Sequence, residues 1–309
     1  MRTAPLGRLE VSVVGLGCNN FGRALDQAGT DLVVASALEA GINFFDTASN
    51  YGNGQSERLL GNALGSHRDD VVIATKFGMP VPGVEGSGGA RPDYVRESVE
   101  RSLRELGTDR IDLLQLHQPD PSTPIADTLE VLGELIQQGK VIEIGCSNLD
   151  AAQSAEAFAA SRERSLPRFV SNQVEYSIIH REPETNGLVA LANAESMALL
   201  PFYPLANGLL TGKQRRGEPV EGRMTMERYQ HYLTERNFAI VDAVAVLAGE
   251  LGLSMPAVSI AWLLAQPTVP SVTPGATTPE QVESNVAGAD AQLTPDDLAR
   301  LDELLSSVS

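Results

Sequence analysis

Apolar positions along this chain fall into short continuous runs that alternate with longer stretches of helical period. The first residues differ: Leu9, Val11 and Val13 alternate with polar neighbours, and Pro5 and Gly7 supply a turn, which predicts a β-hairpin over residues 3–12. Beyond it, runs rich in β-branched and aromatic residues predict core strands at 13–17, 42–46, 71–75, 111–116, 141–144, 169–174, 198–202 and 269–272. Between these strands the apolar residues recur at helical spacing over 31–40, 55–64, 93–106, 124–138, 150–163, 184–195, 235–251, 256–266 and 279–287. A last amphipathic helix starts after Thr294-Pro295. Asp31 is expected to cap the first helix, turning Leu32, Val33, Ala37 and Leu38 inward, and Ser254 to cap the helix that carries Pro256 in its first turn.

Strands that alternate with helices imply a parallel sheet, and eight such units in 309 residues close into a barrel. An open doubly wound sheet is the alternative. Polar residues decide between them, because they end almost every strand: Asp46, Lys76, His117, Ser147, Gln173 and Tyr203. A barrel gathers those ends at one mouth, whereas an open sheet spreads them along an edge. The expected fold is therefore α/β, a (β/α)8 TIM barrel with an N-terminal β-hairpin, as a single domain over residues 1–309. Two segments are too long to be mere connectors. Residues 78–92, dense in Gly and Pro, are a candidate lid or substrate loop, and residues 204–234 form a long insertion.

Composition narrows the partners. Lys and Arg total 23 against 40 Asp and Glu, a formal net charge of −17, and such a surface repels phosphate backbones, which argues against nucleic acid. A locally positive pocket can still take a phosphorylated cofactor. No apolar run is long enough to cross a bilayer, and the N-terminus lacks the h-region of a signal peptide. Cys18 and Cys146 stand far apart, with no metal or redox spacing, and sparse cysteine suits a reducing compartment. A cytoplasmic protein without membrane partners is expected. His67, His117, His180 and His231 show no ligand spacing, so no metal site is expected.

The candidate chemistry centres on GINFFDTASNYG, where Asp46 ends a strand and Tyr51 follows in the next loop. Lys76 ends the buried run VVIAT, and an ammonium at that depth needs a carboxylate, for which Asp46 on the neighbouring strand is the obvious partner. A positive charge beside Tyr51 is expected to lower its pKa from about 10, making it a usable proton donor. His117, one strand further, is placed to hydrogen-bond the same reacting oxygen. Taken singly, Asp46 reads equally as a turn residue, Lys76 as a snorkelling surface cation and His117 as a core histidine. Their coincidence on three consecutive strand ends favours a site. GLGCNNFG does not fit the GxGxxG fingerprint, so no Rossmann turn is read there.

GINFFDTASNYG, TKFG and IDLLQLHQPDP together resemble the aldo-keto reductase superfamily, and the resemblance runs from about Gly7 to Asn285. It implies that Asp46, Tyr51, Lys76 and His117 are a catalytic tetrad with Tyr51 as general acid toward a carbonyl oxygen. GKVIEIGCSN and NQVEYS resemble the segments in which Ser147, Asn148 and Gln173 would hold the nicotinamide carboxamide. FYPLANGLLTGK would place Tyr203 against the nicotinamide ring, with Leu205, Gly208, Leu210 and Lys213 near the pyrophosphate. PGATTPEQVESN would offer Gly275, Thr277, Gln281 and Asn285 to the adenosine phosphate. The implied activity is NADP(H)-dependent interconversion of a small-molecule carbonyl and its alcohol, with NAD(H) as the other nicotinamide. The contrasting implication is a non-enzymatic, cofactor-sensing regulatory subunit on the same fold. The adenosine-phosphate segment contains no Lys or Arg, so a weaker NADP preference than is usual for the family is expected, unless Arg215 or Arg216 reaches across.

Overall fold

The computed structural model describes the chain apart from residues 221, 307 and 309 and the side chain of residue 223. Strands β1 (Thr3–Leu6) and β2 (Leu9–Ser12) form the antiparallel hairpin. Seven parallel strands follow in sequential order: β3 (Leu16–Gly17), β4 (Phe44–Asp46), β5 (Val72–Phe77), β6 (Ile111–Leu116), β7 (Val141–Ser147), β8 (Ser171–Glu175) and β9 (Ala198–Phe202). The helices are α1 (Gln27–Glu39), α2 (Ser56–Leu64), α3 (Pro92–Leu106), α4 (Ile125–Gln137), α5 (Ala151–Arg164), α6 (Glu182–Thr185), α7 (Leu188–Glu195), α8 (Glu235–Leu251), α9 (Met255–Leu264), α10 (Pro279–Asp290) and α11 (Pro295–Ser306).

The eighth strand expected at 269–272 is not a regular strand, yet its segment closes the barrel. Leu199 N–H donates to the Thr268 carbonyl at 2.7 Å on one side, and on the other Gly15 and Gly17 donate to Val272 and Pro274 at 2.9 and 3.1 Å. Val14 and Gly17 pair in parallel with Val272 and Gly275. Pro270 and Pro274 lack the N–H that a continuous ladder needs, which reduces the strand to isolated bridges. The architecture is α/β, a (β/α)8 barrel carrying an N-terminal hairpin.

Strand period positions the site. Phe44, Ala74 and Leu113 point into the barrel, and their neighbours two residues on, Asp46, Lys76 and Gln115, occupy the same inner face nearer the C-terminal mouth. Leu6, Leu9 and Val11 of the hairpin pack against Phe44, Ala74, Leu113 and Leu200, so the hairpin plugs the opposite end. The alternate residues Phe45 and Ile73 pack outward with Val33, Leu60 and Leu64 of the helical layer.

Three local expectations are corrected. Helix α1 starts earlier than expected, with Asp26 as its cap accepting from Gly29 N–H at 2.9 Å. The shifted register leaves Leu32 exposed, while Val33, Val34 and Ala37 are buried. The helix expected over 184–195 is two, α6 and α7, parted at Asn186-Gly187, where Gly187 takes φ +90°. The 78–92 segment, expected as a lid or substrate loop, does not line the cavity described below. It folds on itself, Gly89 N–H donating to Gly78 at 2.8 Å, and is tied down where Asp120 accepts from Ala90 N–H at 2.7 Å.

Among the described residues no single helix is long and apolar enough to cross a membrane. Helices α8 and α9 reach that composition only jointly and bend by 95°, and Val244, Leu247, Val258 and Leu263 within them are core residues.

Candidate active site

At the mouth of the barrel Lys76 is completely buried, and its Nζ donates to both oxygens of Asp46 at 2.9 Å and to the Thr47 carbonyl at 2.8 Å. The Tyr51 hydroxyl is 3.4 Å from the same nitrogen, which lies 4.9 Å from the Tyr51 ring centroid. Gln115 Nε2 adds a donor to Asp46 at 3.2 Å. The carboxylate thus carries an ammonium and an amide, which offset the cost of removing it from water. Breaking such a pair from one side typically costs about 3–5 kcal/mol.

The loop from Thr47 to Gly54 holds Tyr51 over this pair. Ser56 Oγ lies 2.9 Å from Thr47 Oγ1 and donates to the Cys18 carbonyl at 2.9 Å. Gly52 has φ +56°, and a Cβ there would stand 2.1 Å from the Phe21 carbonyl oxygen, so only glycine lets the loop lie against its neighbour. His117 completes the group, its ring edge-on to Tyr51 with centroids 5.7 Å apart. Its Nδ1 is buried without a partner among the described residues.

The electrostatics correct one expectation. Burial raises the Tyr51 phenol above its ordinary value, and the Lys76 ammonium only partly offsets this, with Asp46 acting in the same direction as burial. Burial pulls the Lys76 ammonium down, but Asp46 and Tyr51 outweigh it and leave the pKa above its ordinary value. Burial, aided by Lys76, drives His117 down to about 3. At neutral pH the site therefore contains an ammonium, a protonated phenol and a neutral imidazole. Tyr51 is suited to giving a proton, and the imidazole to hydrogen bonding without a charge change.

Above these residues opens a cavity of about 1740 Å³. That exceeds the roughly 300–1,000 Å³ of ordinary small-molecule sites and leaves room for a large ligand beside a small one. Of the residues expected to bind cofactor, Ser147, Asn148, Gln173, Tyr203, Leu205, Gly208, Lys213, Gly275, Thr277, Gln281 and Asn285 line it. Leu210 does not: its side chain is buried in the core. The others form connected local structures. Ser147 Oγ donates to the Gln173 carbonyl at 2.8 Å, and Asn148, at φ +62°, donates through Nδ2 to the His117 carbonyl at 3.0 Å. Gln173 Nε2 is buried without a partner among the described residues. Tyr203, Ala206, Asn207 and Gly208 all take positive φ, so the chain after β9 is a tight concave turn. Non-glycine residues in this region cost about 1 kcal/mol or more and concentrate where a ligand is held.

At the far end of the cavity, Thr278 caps α10 by accepting from Gln281 N–H at 3.4 Å, and Gln281 Oε1 accepts from Thr277 N–H at 2.8 Å. Arg216 does not reach this end; it pairs with Glu235 and Asp242 at 3.1 and 3.4 Å. Arg215 is not among the lining residues. The 18–30 and 204–234 loops contribute much of the remaining wall.

Sequence reasoning missed Gln115 and Glu57. Gln115 is a polar residue at an inward position of β6, on the face opposite to Asp112 of the same strand, a signal the two-residue period makes visible. Glu57 is buried and accepts from Thr75 Oγ1 at 2.6 Å, linking the helix after the Tyr51 loop to the strand of Lys76. Burial raises its carboxyl above the usual range, with Thr75 partly offsetting the rise. Nothing in its sequence context separates it from a surface helix carboxylate.

Comparison with known proteins agrees with this geometry. The family model described as "Aldo/keto reductase family" matches residues 13–306. A "probable voltage-gated potassium channel subunit beta" of Arabidopsis thaliana is 33% identical, covering 97% of this chain and 94% of that protein. The "L-glyceraldehyde 3-phosphate reductase" of Escherichia coli K12 is 31% identical over 96% of this chain and 89% of its own length. "Protein tas" of the same strain is 32% identical over 96% and 95%. With its barrel, its buried Lys76–Asp46 pair and a family match over nearly its whole length, the chain belongs to the aldo/keto reductase family.

Proposed function

We propose that this protein is an NADP(H)-dependent oxidoreductase that interconverts an aldehyde or ketone and its alcohol, within one catalytic domain spanning the chain. The observation that carries the reading is the Tyr51 hydroxyl, 3.4 Å from a buried, carboxylate-paired ammonium and open to a large cavity. Tyr51 gives its proton to the carbonyl oxygen of the substrate. Lys76, held by Asp46, stabilises the phenolate that remains, and neutral His117 hydrogen-bonds the substrate oxygen and fixes its orientation. Gln115 holds the Asp46 carboxylate in register.

The cavity fits a nicotinamide dinucleotide, because Gln173 presents a buried, unpartnered amide nitrogen beside Ser147 and Asn148, which suits a carboxamide. Tyr203 would lie against the nicotinamide ring. Leu205, Gly208 and Lys213 would face the pyrophosphate, and Gly275, Thr277, Gln281 and Asn285 the adenosine phosphate. When bound, the cofactor supplies a hydride from its nicotinamide C4.

The kinship with a potassium channel β subunit favours a second reading, a cofactor-sensing regulatory subunit on the same scaffold. A panel of aldehydes with reduced cofactor separates the two, since only the enzyme consumes the cofactor in step with the aldehyde.

Cofactor choice is the finer test. The helix start at α10 offers backbone N–H groups and hydroxyls to a 2′-phosphate but no basic side chain from residues 275–285. A missing charge-assisted contact forfeits roughly 1.5–3 kcal/mol. NADPH is expected to bind more tightly than NADH, by less than about 10³. Titration of both by fluorescence measures this, and tighter binding of NADH would overturn the assignment.

A further inference from the structure

Arg23 and Arg228 line the cavity from opposite segments. Arg23 follows Gly22, which packs against Gly52 and Gln55 beside the Tyr51 loop, and Arg228 lies in the turn Glu227–Tyr232 of the long insertion. They meet at Met226, whose Sδ is 3.3 Å from Arg23 Nη2 and 3.6 Å from Arg228 Nη2. Arg228 also lies 4.8 Å from the centroid of the Tyr229 ring.

A thioether is a weak acceptor and a poor partner for a guanidinium. Among the described residues neither arginine has a carboxylate partner. Arg96, Arg181, Arg216 and Arg300 pair with carboxylates, whereas Arg23 and Arg228 are distinguished by sharing one thioether at the cavity wall. Because both reach one sulfur, the two Nη2 atoms are no more than about 7 Å apart, where like charges repel. An anion between them would remove that repulsion and engage donors that fit a tetrahedral oxyanion in pairs.

We propose that Arg23 and Arg228 form a clamp for a phosphate group at the mouth of the cavity. The phosphate has two possible sources, the far end of a phosphorylated carbonyl substrate or a phosphate of the dinucleotide. The substrate arm rests on the carbonyl-reductase reading above. Both side chains are exposed, so the clamp is weakened by salt.

The test compares the wild type with the double variant Arg23→Gln/Arg228→Gln, using Arg216→Gln as a variant of the same loop that loses the same type of charge. Calorimetric titration with inorganic phosphate is expected to show at least about tenfold weaker binding in the double variant, the scale of lost charge-assisted contacts. If the substrate is the source, the ratio of kcat/KM for glyceraldehyde 3-phosphate over glyceraldehyde falls by about tenfold or more, through KM. If the dinucleotide is the source, that ratio holds and the affinity for NADPH falls instead. Unchanged phosphate binding in the double variant, or an equal loss in Arg216→Gln, would overturn the clamp. Absence of turnover with either aldehyde in the wild type would count against the reductase reading alone, because the phosphate titration needs no turnover.

Discussion

Lys76→Met is expected to lower carbonyl turnover by roughly 10²–10⁴, the range of a lost acid–base contribution. Methionine fills the space of the lysine stem and removes its charge. Tyr51 then loses the one neighbour that holds its phenol down against burial, so its pKa rises further. Asp46 keeps only the Gln115 amide donor. An unpaired buried carboxylate should destabilise the fold by up to about 3–5 kcal/mol at neutral pH. The pH dependence has a definite sign. Wild-type Lys76 has a raised pKa, so the stability it contributes is present below the ammonium's unfolded value and is lost as pH rises through the folded one, a loss that Lys76→Met cannot show. Thermal melts of wild type and variant should therefore converge in the alkaline range. Parallel melts, together with a pH–rate profile matching that of the wild type, would refute the coupling between Lys76, Asp46 and Tyr51.

Tyr51→Phe is expected to lose turnover by a similar factor, about 10²–10⁴, equivalent to roughly 3–5 kcal/mol of barrier, but with a different stability signature. Lys76 keeps both Asp46 oxygens and the Thr47 carbonyl, so its three N–H donors remain satisfied. Stability should change by no more than about 1 kcal/mol. Cofactor affinity should persist, since the expected dinucleotide contacts come from other lining residues. In the wild type the raised phenol pKa makes Tyr51 an acid throughout the neutral range. Carbonyl reduction should hold its rate there and decline only as pH rises through that pKa. Alcohol oxidation needs the phenolate and should accelerate with rising pH. Near wild-type turnover in the Phe variant would exclude Tyr51 as the proton donor.

Much of this site was legible because its residues end strands whose order the hydrophobic runs reveal. Asp46, Lys76 and His117 each close an apolar run, and a closed parallel barrel brings such ends together whatever the intervening helices do. What sequence could not give was set by partners distant in the chain. The pKa of Tyr51 is a balance between burial and one ammonium, and only coordinates show that burial prevails. Helix α1 begins after Asp26, with the expected cap Asp31 lying inside it, because Asp26 accepts from Gly29 N–H. The eighth strand was read from an apolar run whose prolines deny it a ladder. Glu57 acts through a contact to Thr75 that no local pattern encodes. The Arg23–Met226–Arg228 meeting likewise joins loops about two hundred residues apart.

In the proposed reaction hydride passes between a nicotinamide bound in this cavity and a carbonyl carbon beside Tyr51, and deuterium followed from NADPH labelled at the nicotinamide C4 into the alcohol formed from an aldehyde panel measures that transfer. Label is expected on the carbinol carbon, from one face of the nicotinamide only, with the transfer lost in Tyr51→Phe while that variant still binds NADPH. Stoichiometric NADPH binding by the wild type with no label in any alcohol would contradict that reaction.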